Sequence, residues 1–159
     1  MRAFITGLKI RNKHLVFIGM VVSIFLLSTP AAHADANEGK VALIAARGSA
    51  IKAMHLRDVR RLYLGYKSTA NLSVRNPVLN VQSRALYDEF LKNIMHMTEG
   101  SYKRKLVKRI FRQGIEEIRE VASLKELNNH LLENIGDISF VEMSAIENMD
   151  NIEVVQILW

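Results

Sequence analysis

The 159-residue chain has no cysteine. Disulfide support, a cysteine nucleophile and lipidation at a cysteine are all excluded, so stability must come from a hydrophobic core. No Gly-x-Ser-x-Gly, Walker or dinucleotide fingerprint occurs, and neither does an internal repeat or a low-complexity tract. Acidic residues are missing altogether before Asp35. Proline occurs only at Pro30 and Pro77, and each marks a boundary.

The acid-free beginning is organised. Arg2, Lys9, Arg11 and Lys13 precede an apolar run from Leu15 to Leu27; Pro30 breaks that run, and Ala32-His33-Ala34 follows it. A basic segment, an apolar core and a small-x-small site make an export signal, with cleavage expected after Ala34. A run of this length also suits an uncleaved membrane anchor, but the proline and the small residues favour cleavage. The expected product is one domain over residues 35–159, periplasmic and without a stable membrane span. Its 125 residues are enough to bury a core of its own.

Cleavage also changes the charge. The whole chain carries +6, but four of its 22 basic residues lie in the signal, leaving 18 against 16 acidic ones. A domain near +2 is a poor candidate for nucleic-acid binding.

Local pattern supplies the elements. The run 41–46, VALIAA, reads as a buried strand, and Leu56, Val59, Leu62 and Tyr63 recur at helical spacing up to Gly65. Pro77 opens a strand over 78–81, and Ser83 is placed to cap a helix bearing Leu86, Phe90 and Ile94. A third helix from about Tyr102 is expected to turn Leu106, Ile110 and Phe111 inward. Ser123-Leu124-Lys125-Glu126 forms a capping box for a fourth helix, which Gly136 ends. Strands at 138–141 and 152–158 follow. Strands alternating with helices predict an α/β fold with a mostly parallel sheet flanked by helices. Its expected core holds Leu62, Leu86, Phe90, Ile110, Leu127 and Phe140.

Few residues suggest chemistry. Glu116, Glu117 and Glu120 read as a solvated face, and no nucleophile–base–orienter set is present, so no catalytic residue and no cofactor is expected. Met95-His96-Met97 offers soft ligands, but consecutive side chains rarely meet at one ion, and core packing of Met95 is the simpler reading; no metal is expected. Lys103, Arg104, Lys105, Lys108, Arg109 and Arg112 make a basic helix face, solvated or turned to an acidic partner or an anionic membrane surface. The best candidate is Gln82-Ser83-Arg84, where a strand end meets a helix start. Free N–H groups, a hydroxyl and a guanidinium there suit a tetrahedral oxyanion, although an ordinary N-cap beside an exposed arginine has the same sequence.

Three segments in order carry a family resemblance. LRDVRRLYLG (56–65) resembles a helix ending in an Ile-Phe-Leu-Gly type motif, and the stretch from Pro77 to Phe90 resembles a strand, anion loop and helix. GDISFV (136–141) is similar to a Gly-x-Ile-Gly-Tyr-Val strand. Together they resemble the phosphate-type periplasmic solute-binding proteins, the substrate-binding subunits of phosphate ABC transporters. The resemblance implies a single solute-binding-protein-like lobe, a non-enzymatic role, and a phosphate-like oxyanion held at Gln82, Ser83 and Arg84. The loop keeps a serine but not the family's glycines, and the chain matches one lobe of a two-lobe clamshell. The alternative is therefore a ligand-free accessory or interaction module of the same fold, with an envelope protein as partner.

Overall fold

The strand β1 (Val41–Ala46) is fully buried because its two faces enter two different cores. Val41, Leu43 and Ala45 join one cluster, while Ala42 and Ile44 join the other. A computed structural model describes residues 39–69 and 71–159. The export signal expected over residues 1–34 lies outside the described residues.

On the first face lie α1 (Leu56–Leu62), α2 (Arg84–Phe90), the π-helical turn that continues it (Leu91–Met95) and α3 (Glu99–Gln113). Phe90 and Phe140 stack there at 3.9 Å with planes 2° apart, and Tyr63 meets both rings edge-on. Burying each large side chain contributes about 1.5–3 kcal/mol. The second face is covered by Leu127 and Leu131 of α4 (Leu124–Glu133).

The mostly parallel sheet flanked by helices, the expected single solute-binding-protein-like lobe, is corrected by the strand pairing. β4 (Ile138–Glu142) and β5 (Ile152–Ile157) both run antiparallel to β1, in the order β4-β1-β5. Among the described residues, parallel pairing is confined to the two-residue partners β2 (Leu79–Asn80) and β3 (Glu120–Val121), with isolated bridges such as Pro77 to Ile138. A continuous apolar run reports that both faces are covered. A central antiparallel strand between two cores meets that condition as well as a parallel one does.

Gly136 occupies φ +107°, where a Cβ would lie 2.8 Å from the Ser73 carbonyl oxygen. Its own carbonyl accepts from the Arg75 N–H at 2.8 Å, so only glycine lets the chain turn from α4 into β4 against that loop. Of the expected core, Leu62, Leu86, Phe90, Leu127 and Phe140 are buried, while Ile110 is half-buried. Phe111 departs outright from its expected inward position. It is 85% exposed.

Candidate functional site

The loop after β2 is pinned from below. Buried Asn80 donates its Nδ2–H to the Phe140 carbonyl at 3.1 Å, and its Oδ1 accepts the Gln82 N–H at 3.1 Å. The Gln82 residue is exposed. Ser83 is the N-cap of α2, its hydroxyl oxygen accepting from the Leu86 N–H at 3.3 Å, as the sequence led one to expect.

Arg84 is engaged on two sides. Its Nε donates to Asp88 Oδ2 at 3.0 Å and its Nη2 to Glu99 Oε2 at 2.7 Å. Glu99 also receives Lys103 Nζ at 2.8 Å. The result is a chain of charges that ties the start of α2 to the first turn of α3. Hydrogen bonds from Arg84 and then from Lys103 hold the Glu99 carboxyl down to about 2, and Glu99 in turn raises both cations. Under the guanidinium lies the Tyr87 ring, 5.7 Å from it. Burial, then the charges of Glu99 and Glu120, push the Tyr87 phenol up to about 12.

Gln82, Ser83 and Arg84 are thus adjacent, with Ser83 committed to the cap of α2 and Arg84 to Asp88 and Glu99. A cleft of about 510 Å³ beside Arg84 is also lined by Asp88 and Glu99. Any anion entering it would meet two carboxylates along with the guanidinium. Like-charge proximity at such distances is unfavourable even near a protein surface.

Met95, His96 and Met97 diverge. Met95 is buried, Met97 packs against the same core, and His96 sits exposed at φ +53° with Nδ1 3.0 Å from the Lys92 carbonyl. Among the described residues no group of three His, Cys, Asp or Glu side chains could hold a metal ion. Glu116, Glu117 and Glu120 are exposed.

The sequence reading missed one polar cluster. His130 on α4 lies 2.9 Å, Nε2 to Oδ2, from buried Asp137, whose Oδ1 accepts the Asn76 N–H at 3.1 Å. With its proton on Nε2, the ring donates to Asp137 and leaves Nδ1 to accept from Asn134 Nδ2 at 3.4 Å. Both ring nitrogens then have partners within the protein. The pair borders a cleft of about 650 Å³ that also takes in Arg75 and Arg119. His130 and Asn134, the residue just past the end of α4, are four apart, a visible spacing, but the third partner is supplied by the turn that follows.

The basic helix has two different sides. Tyr102 and Leu106 are buried, and the Tyr102 hydroxyl donates to the Tyr63 carbonyl at 2.7 Å. Arg109 is half-buried, its guanidinium 3.5 Å from the centre of the Tyr66 ring and its Nη2 3.4 Å from the Gly65 carbonyl. These contacts set the rotation of α3 about its axis. On the opposite side Phe111 and Val107 face solvent among Arg104, Lys108 and Arg112.

No model of a known protein family matches the chain, and no curated protein matches it by sequence.

Proposed function

We propose that the chain is an exported, non-enzymatic interaction module of the cell envelope rather than a carrier of a small anion. The observation that supports this reading is the closure of Arg84 by Asp88 and Glu99 at 3.0 and 2.7 Å. The groups suited to an oxyanion serve instead to hold α2 against α3. Export rests on the basic segment, apolar run and Ala32-His33-Ala34 site. An N-terminus at Asp35 in protein from the envelope fraction supports it, and an intact Met1 on that pool overturns it.

The second reading keeps a phosphate-like ligand at Gln82, Ser83 and Arg84. It is favoured by the serine standing where expected, at the start of α2. A thermal-shift titration with phosphate and sulfate decides between them. A ligand at a hundredfold excess over its dissociation constant stabilises by about 2.7 kcal/mol, a readily measured rise in Tm. The interaction-module reading expects no such rise at millimolar anion. A rise that disappears in Arg84→Ala establishes the oxyanion site.

A further inference from the structure

The near-balanced charge of residues 35–159 conceals a strong separation. Lys103, Arg104, Lys105, Lys108, Arg109 and Arg112 put six positive charges into ten residues, with no acidic residue between Glu99 and Glu116. The rest of 35–159 holds the other 12 basic residues against all 16 acidic ones. One helix is therefore strongly positive and the remainder net negative. In an anionic field such a molecule turns its helix face inward and its remainder away.

Lys103 is paired with Glu99, whereas Arg104, Lys105, Lys108 and Arg112 have no carboxylate partner among the described residues. At the outer pole of this face stands Phe111, 85% exposed, with Val107, 49% exposed, one turn before it. The ring cannot turn into the core, because Tyr102, Leu106 and Arg109 already hold the other side of the helix. A permanently outward phenylalanine ringed by arginine and lysine is suited to a surface that is anionic outside and apolar just beneath.

We propose that the outer face of α3 docks on an anionic lipid bilayer, with Phe111 entering the headgroup region and Arg104, Lys105, Lys108 and Arg112 meeting the lipid phosphates. This rests on the interaction-module reading and names its surface. The face presents one largely exposed ring among exposed cations, and a fluid bilayer accepts a lone ring without a preformed pocket. A protein partner must instead supply a matching pocket and about 800 Å² of fitted surface. Charge complementarity and the protruding ring both point to lipid.

The test is sedimentation of the protein, as purified from cells, with vesicles of phosphatidylglycerol and phosphatidylcholine, and with vesicles of phosphatidylcholine alone. Binding is expected only to the anionic vesicles and weakens as salt rises. Each cation near the surface contributes about fivefold in affinity, so Lys108→Glu with Arg112→Glu should reduce binding well over tenfold. Phe111→Ser is expected to reduce it roughly tenfold with Tm unchanged, and Phe111→Trp to restore it. Absence of binding to anionic vesicles at low salt overturns the proposal, as does binding that ignores all these substitutions. Equal binding to both vesicle types overturns it too. The two readings fail separately. A phosphate-induced rise in Tm that needs Arg84 removes the interaction-module reading whatever the vesicles show, whereas loss of vesicle binding alone removes only the lipid surface.

Discussion

Tyr102 and Phe111 are aromatic residues on one helix, nine positions apart, with opposite fates. Tyr102 is 1% exposed and donates its hydroxyl to the Tyr63 carbonyl, whereas Phe111 is 85% exposed and touches no core. Burial of Tyr102 pushes its phenol far above its ordinary range, which favours the protonated, donating hydroxyl. Side-chain type does not decide which aromatic is structural. The rotation of α3 decides it, and that rotation is set by what neighbouring segments offer: a carbonyl at Tyr63 and a carbonyl and ring at Gly65 and Tyr66.

The comparison breaks most visibly at Tyr102. Tyr102→Ala should destabilise by about 3–5 kcal/mol, the usual range for deleting a buried aromatic ring, read from denaturant unfolding. A loss below 1 kcal/mol would show that the inner face of α3 is not held as described. Next comes Ser83→Ala, which removes the cap of α2 and should cost about 1 kcal/mol. Arg84→Ala on that background should add little, because Arg84 and Asp88 are exposed and Glu99 is only half-buried.

A smaller effect belongs to Glu99 and is read through pH. Its carboxyl is depressed from 4.5 to about 2 in the folded protein, chiefly by Arg84. The stability it contributes is complete above about 4.5 and disappears as pH falls towards 2. The difference in Tm between the protein and its Glu99→Gln variant should therefore shrink across that window and stay flat above it. A difference that grows on acidification contradicts the pairing.

The smallest stability effect is expected at Phe111. Phe111→Ser should leave unfolding within about 0.5 kcal/mol, since the ring has no buried contact to lose. A larger loss would place the ring inside, as its spacing from Leu106 and Ile110 first suggested, and would close the contrast with Tyr102.

That spacing misled for a specific reason. Ile110 and Phe111 are consecutive, about 100° apart around the helix, and one of them had to leave the core-facing arc. Ile110 stays half-buried and Phe111 goes to solvent. Similarly, Gln82, Ser83 and Arg84 showed a helix start, but Glu99, fifteen residues beyond Arg84, was invisible as its partner until α3 was placed. His130 and Asp137 lie close in sequence, yet the ring and carboxylate face each other only because Gly136 turns the chain between them.

What the sequence determined by itself lies within about one helical turn of each residue. Ser83 and Ser123 cap their helices through N–H groups three residues on, and Gly136 supplies the positive φ that releases β4. The apolar run at Val41–Ala46 likewise announced a strand covered on both faces. The direction of β4 and β5 beside that strand, the outward ring of Phe111 and the closure of Arg84 by Glu99 were decided by tertiary structure alone. Each depends on where a distant segment passes, and a strand's side chains alternate in the same way whichever direction its neighbour runs.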